Sequence, residues 1–366
     1  MFQRLRRPST LLLALLLPTT LALAACGSDD GGEKELSGLK AVSISGEVGS
    51  SPKLDWKGLI KPEAIATKVV TEGDGAALAE GDRVQLDWSL INGYTHEVLW
   101  DTYEKYSPST IVTVGGEPQP SSISDVLSSV ITSQVKPGQK VGSRLAVTVG
   151  SDRVIGQYIA DAQTGPLFAQ LGIGNQDGLL FVADLSEPTA PQGKARKAPA
   201  WAPKVVEKAG IPASLDFSRA GTPSGQLRVA TLVQGTGPKV RAGQQVAASY
   251  LGQLATAKKP FDENFSKGGT FQPIVGPKGE GAIKGWLQGL VGLRVGSRVL
   301  LEIPPGLGYG KEAQKDQAGK VTIPANSTLY FVIDVVDVAD VKPTPKAETA
   351  PPSEPSAEDP GAQQTQ

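Results

Sequence analysis

The sequence predicts an α+β fold, in two tandem domains that are each a twisted antiparallel β-sheet wrapped on one short helix. Three observations predict it. Val84, Leu86 and Trp88 alternate with polar partners, as do Leu145, Val147 and Val149, which is the period of a strand with one buried face. Ala282 to Leu290 carries Ile283, Trp286, Leu287 and Leu290 at helical spacing. The third is a set of sequence blocks that recur in order. Glu72-Gly73-Asp74-Gly75 returns as Gln234-Gly235-Thr236-Gly237, and Val141-Gly142-Ser143-Arg144 returns identically as Val295-Gly296-Ser297-Arg298. Leu179-Leu180-Phe181-Val182 matches Leu329-Tyr330-Phe331-Val332. The offsets shrink from 162 to 154 to 150, as expected of a duplicated domain whose loops have changed length.

Composition supports a β-rich reading. Among 366 residues there are 43 Gly and 28 Pro but only 5% aromatics, which suits turns better than helical bundles. The 36 basic residues balance the 37 acidic ones with no basic stripe, so no nucleic-acid partner is expected. A single cysteine, Cys26, excludes an internal disulfide, and no Cys/His cluster supports zinc. His96, the sole histidine, falls in a loop from Asn92 to Glu97, where solvent exposure is expected.

The N-terminus reads as an address. Residues 1–25 form a signal peptide: Arg4, Arg6 and Arg7 precede the apolar run Leu11 to Leu17. Leu23-Ala24-Ala25-Cys26 then resembles a bacterial lipobox, in which the cysteine is lipidated and becomes the mature N-terminus. An ordinary secretory signal with an incidental cysteine is the alternative. Removing residues 1–25 moves the net charge from −1 to −4. Residues 26–64 are then the lipidated N-terminus and a tether, placing the protein outside the cytoplasm and anchored to the cell membrane by Cys26 alone.

Two repeat units follow, at 65–187 and 226–340. The Pro-, Ala- and Lys-rich stretch around 186–204 marks a linker over 188–225, and residues 341–366 hold little to bury and read as a disordered tail. In the second unit, Val299 to Ile303 and Leu329 to Val338 are strand-like. Asp334 and Asp337 within the latter are expected on a solvated strand face rather than as metal ligands.

An ordered series runs through the second unit. Tyr250-Leu251-Gly252 is followed by Phe261-Asp262, by Phe271 with Gly276 five residues on, and by Ile283-Lys284-Gly285-Trp286. Ile303-Pro304-Pro305 leads to Gly308-Tyr309-Gly310, and Ile323-Pro324 precedes Leu329-Tyr330-Phe331. Each element is weak alone, but over 226–340 the complete series resembles the FKBP-type peptidyl-prolyl cis-trans isomerase family. The resemblance implies one pocket, with Trp286 as floor and Tyr250, Phe261, Phe271, Ile323 and Phe331 as walls. Asp262 and Tyr309 would be polar groups at its rim, and the Ile283 N–H would receive a substrate carbonyl. Gly281 and Ala282 precede Ile283 where the family often carries a glutamate, so the substrate contact of such a glutamate is not implied here.

The residues exclude rival chemistries. Gly276-Pro277-Lys278-Gly279-Glu280-Gly281 lacks the G-K-[ST] of a phosphate-binding loop, and no cofactor is implied. The resemblance implies isomerisation of proline-containing exported polypeptides and binding of macrolide inhibitors of the family. A non-catalytic chaperone or scaffold that holds proline-containing segments is the alternative.

The first unit keeps the frame but not the lining. Trp88 stands for Tyr250, and Trp100-Asp101 for Phe261-Asp262. Thr110 falls near the Phe271 position, Val130 near Trp286 and Ile155 near Tyr309, while Ile173 and Phe181 match Ile323 and Phe331. Weak or absent isomerase activity is expected of residues 65–187.

Overall fold

The computed structural model describes residues 33–341, apart from 105, 106, 117–119, 121, 189, 190 and 317. The signal peptide, Cys26 and the tail from residue 342 onward lie outside the described residues.

Each repeat unit builds a six-stranded sheet whose pairings are all antiparallel. In the first, the strand order is Ala66–Thr71, Arg144–Gly150, Gly178–Ser186, Arg83–Asn92 and Val98–Asp101, with Thr110–Thr113 paired to the other end of Arg83–Asn92. The second repeats it as Arg228–Gly235, Arg298–Ile303, Leu329–Asp340, Gln244–Gln253 and Asp262–Glu263, with Gly193–Ala195 added at the Arg228–Gly235 edge. Registers coincide as well: Leu90 stands opposite Phe181, and Gly252 opposite Phe331. The α+β class therefore holds, with the Lys284–Gly289 helix on the second sheet and the Ile123–Thr132 helix on the first. The first unit departs from the expected single helix by adding three short ones, Ser151–Val154, Gly156–Ala160 and Gly165–Gln170.

The repeated Val-Gly-Ser-Arg block has a structural explanation. Gly142 and Gly296 take φ of +86° and +88°, left-handed backbone that glycine adopts without strain. The next residue bonds across the sheet: Ser143 Oγ accepts the Gly73 N–H at 2.9 Å, and Ser297 Oγ accepts that of Gly235 at 3.0 Å. Arg144 then forms a two-pronged ion pair with Asp184, both contacts at 2.7 Å. Arg298 does the same to Asp334 at 2.6 and 2.9 Å. These pairs are buried, so removal of either partner leaves an uncompensated charge.

Asp334 is thus not on a solvated strand face. It is fully buried, and Asp337 is half-buried, accepting the backbone N–H and the hydroxyl of Ser109 at 3.0 and 2.9 Å. Asp337 is covered by the first unit through Ser109, whereas for Asp334 the reason is a second layer. A hairpin of Lys204–Lys208 and Ile211–Asp216 packs Leu215 and Val205 on the outer face of the second sheet, against Leu251, Leu300, Tyr330 and Val332. Residues expected to be linker therefore include a structured hairpin. The tether expectation changes in the same way: Val42–Ser45 pairs with Lys53–Trp56, and Ala41, Val42 and Ile60 pack on Ile91, Leu180 and Val182 of the first sheet. Each arginine clamps its own cover. Arg144 donates to the carbonyls of Glu47 and Ser50, and Arg298 to the Glu207 carboxylate.

His96 also departs from expectation. It takes φ of +62° and stacks on Trp56 at 4.0 Å and 10°, so His96 is half-buried under the N-terminal segment while Tyr94, Thr95 and Glu97 beside it stay exposed.

The two units meet along the Thr110–Thr113 strand. Ile111 is buried with Ala247 and Val336, and its carbonyl accepts the Gly269 N–H at 2.6 Å. Arg83 reaches across to donate to Ser249 Oγ at 2.6 Å and lies over the Phe265 ring.

Candidate functional site

Strand alternation and one helix bring the rings of the second unit together. Along Gln244–Gln253, Val246, Ala248 and Tyr250 face the helix side, while Leu251 faces the covering hairpin. Along Leu329–Asp340, Phe331, Ile333 and Val335 face the helix side, while Tyr330 and Val332 face the hairpin. This is the period of two expected of a sheet covered on both sides. Trp286 enters from the Lys284–Gly289 helix, which sits close to the sheet because Gly285 has no side chain: a Cβ there would lie 2.4 Å from Ile303 Cγ2.

Trp286 is the centre of the cluster, 2% exposed. Tyr250, Phe271 and Phe331 stand edge-on to it, with ring centroids at 5.3, 5.4 and 5.4 Å and interplanar angles of 88°, 84° and 83°. Phe261 meets Phe331 at 5.6 Å and 87°. Edge-to-face contacts of this kind add about 0.5–1.5 kcal/mol each beyond the apolar area they bury. Ile323, 4% exposed, belongs to the same buried cluster.

Polar groups gather at one margin. The Tyr250 hydroxyl donates a short hydrogen bond to the exposed Asp262 carboxylate. Burial first, then the hydrogen bond to Asp262 and the charge of that carboxylate, push the Tyr250 hydroxyl well above its ordinary pKa, so it stays a donor. Tyr309 is 38% exposed, and its hydroxyl is pushed up by burial and then by the Asp262 charge. Ile283 caps the helix in extended conformation, with φ −65° and ψ 150°. Its carbonyl accepts from Trp286 and Leu287, while its own N–H donates no hydrogen bond among the described residues. A cleft of about 600 Å³ opens beside Tyr250, Asp262 and Phe271, closed on its far side by the first unit; its walls do not include Trp286, Tyr309 or Phe331.

Gly252 is the residue that sequence reasoning passed over as part of the site. A Cβ at Gly252 would lie 2.6 Å from Phe261 Cζ and 2.6 Å from Phe331 Cε1. A glycine inside a strand is the signal for such a close approach.

The first unit fills the equivalent space. Leu90, in the place of Gly252, is fully buried, as are Ile155, Ile173, Phe168 and Phe181. Thr110 pairs with Leu86 as Phe271 pairs with Ala248. The Ile123–Thr132 helix buries Val130 and contains no aromatic residue. The pairing of Trp100-Asp101 with Phe261-Asp262 needs correcting by one position. Leu90 pairs with Trp100 where Gly252 pairs with Asp262, and Thr102 caps the Trp88 N–H as Asn264 caps that of Tyr250. Trp100 therefore stands in the place of Asp262 and stacks on Trp88 at 6.0 Å. The first unit has no carboxylate there.

The family model of the FKBP-type peptidyl-prolyl cis-trans isomerases matches residues 237–336. The chain is 36% identical over 118 residues to an FK506-binding protein of Streptomyces anulatus, covering 32% of this chain and 90% of that one. The chain belongs to the FKBP-type peptidyl-prolyl isomerase family. This FKBP-type chain is also 46% identical over 104 residues to FK506-binding protein 4 of Chaetomium thermophilum, covering 28% of this chain and 20% of the relative. It is 36% identical over 125 residues to the isomerase FkpA of Escherichia coli, covering 34% and 41% respectively. It thus spans well under half the length of those two relatives.

Proposed function

We propose that the second unit isomerises X-Pro bonds of exported polypeptides, using the ring cluster around Trp286. An X-Pro amide resists rotation by ~18–20 kcal/mol because resonance is lost in the twisted state, which leaves uncatalysed exchange at tens to hundreds of seconds. The planar amide is strongly dipolar and is stabilised by water, whereas the twisted amide is less dipolar. An apolar, ring-lined site therefore favours the twisted form relative to the planar one, which lowers the barrier without bond chemistry.

The observation that carries this reading is the convergence of Tyr250, Phe271 and Phe331 on Trp286 at 5.3–5.4 Å. Phe261 and Ile323 extend the apolar wall. The Ile283 N–H and the Tyr309 hydroxyl would hold the carbonyls flanking the proline, and Asp262 fixes the Tyr250 hydroxyl. The first unit has no equivalent site and is proposed to be silent or weak. Macrolides such as FK506, for which several relatives are named, are proposed to bind the second unit and barely the first.

Placement outside the cytoplasm rests on Leu23-Ala24-Ala25-Cys26, with lipidated Cys26 as the membrane anchor. Cys26→Ala should release the chain from the membrane fraction. For the catalytic reading, a fluorogenic Xaa-Pro peptide assay on the full chain is the test. Phe261→Ala and Asp262→Ala should each lower the rate while the fold is retained, and a wild-type chain without catalysis would remove the proposal.

A further inference from the structure

The cleft between the two units is not used by the reading above. Tyr250, Asp262 and Phe271 form its inner wall, so it is continuous with the ring cluster, and its volume of about 600 Å³ suits a short stretch of polypeptide. The facing wall is the Ile123–Thr132 helix. Ser124, Ser128 and Thr132 line the cleft and recur every four residues, one face of a helix. Val126, Leu127, Val130 and Ile131 are buried in the first unit's core.

The chemistry of this wall is one-sided. Ser128 and Thr132 donate their hydroxyl hydrogens to the carbonyls of Asp125 and Ser129 in their own helix, at 3.2 and 3.3 Å. What remains on each oxygen is acceptor capacity. Three carboxylates, Asp125, Asp262 and Glu263, line the cleft against one ammonium, Lys267. A slot lined mainly by acceptors and negative charge favours an occupant rich in N–H donors and positive charge.

We propose that the cleft receives the polypeptide segment flanking the isomerised prolyl bond, and that it prefers segments bearing lysine or arginine. The proposal rests on the isomerase reading of the ring cluster. It gives the first unit a role without a catalytic site of its own: it supplies affinity for long substrates while the second unit supplies the rate.

The test compares three substrates on the full chain. One is a tetrapeptide with a single prolyl bond, too short to reach past the rings. The other two are peptides of about a dozen residues carrying the same core, flanked by lysines or by glutamates. The lysine-flanked peptide should show kcat/KM about tenfold above the glutamate-flanked one, a preference that shrinks at high salt. Ser128→Trp, which wedges the cleft, should bring the lysine-flanked peptide down to the tetrapeptide's value and leave the tetrapeptide unchanged. Ser124→Lys should weaken the charge preference, and it carries the test if the tryptophan variant does not fold. Equal kcat/KM for both long peptides, or an unaltered preference in the folded variants, overturns the proposal. A wild-type chain inert toward the tetrapeptide sinks the isomerase reading instead. Fluorescence anisotropy with the labelled lysine-flanked peptide then still decides the cleft, by whether Ser128→Trp abolishes binding.

Discussion

Gly252 and Leu90 hold the same place in the two sheets, Gly252 opposite Phe331 and Leu90 opposite Phe181. In the second unit the missing side chain lets Phe261 and Phe331 close over the strand, and in the first a buried leucine occupies that volume. This position is one of several that separate the ring cluster from a filled core. Gly252→Leu should therefore lower isomerase kcat/KM at least about tenfold. Its circular dichroism should remain native, since Phe261 sits at the margin and can swing outward. Overpacking of this kind costs about 1–3 kcal/mol, so a small fall in Tm should accompany the loss.

The buried Arg298–Asp334 pair anchors the outer hairpin to the sheet. Asp334→Asn should destabilise the chain by about 3–5 kcal/mol, because Arg298 keeps a charge away from water with one partner fewer. The paired replacement Arg298→Met with Asp334→Leu should cost markedly less than the single change. Denaturant unfolding of both variants checks the order.

Tyr250 and Tyr309 both have their hydroxyls pushed up by burial first and Asp262 second. A phenol whose pKa is raised stays protonated above its usual titration, near 10. Tyrosinate absorbance should therefore show these two hydroxyls silent as pH passes that value. In Asp262→Asn, the titration of both should move back toward the ordinary range while the burial contribution remains.

Asp87 is pushed up to about 7, mainly by burial and then by the neighbouring charges of Asp337 and Asp184. Its folded pKa lies above its unfolded value of 3.8. The stabilising contribution is therefore complete below about pH 4 and is lost as pH rises to about 7, with an upper bound of about 4 kcal/mol. Thermal unfolding should show wild type losing stability between those limits. Asp87→Asn should flatten that slope and be the more stable of the two at pH 8.

Much of the site was legible because its parts are rings at a fixed order along the chain, and strands alternate strictly enough to aim Tyr250 and Phe331 at one side. The glycine was less visible, since its contribution is a side chain that is not there. Asp334 and Asp337 were misplaced for a different reason. An aspartate between β-branched residues reads as a solvated face only if nothing covers that face. The cover at Asp334 comes from residues whose proline, alanine and lysine content resembles a linker, and that at Asp337 from Ser109 of the first unit. The hairpin turn at Ala209-Gly210, with φ of +49° and +78°, has both central residues left-handed, the two-residue geometry that joins antiparallel strands. Alanine is an uncommon choice at the first of these, which hides the signal. The one-position slip at Trp100 arose from matching the two aromatic-Asp dipeptides to each other; the offset of 162 that relates Trp88 to Tyr250 carries Trp100 to Asp262 instead, as the edge pairings show.

The most direct measurement is a titration of the full chain with FK506, reading bound macrolide by calorimetry and residual isomerase activity on the same samples. If catalysis belongs to the Trp286 cluster alone, one equivalent per chain binds and abolishes the activity. Two equivalents of comparable affinity, or activity that survives saturation, would contradict it.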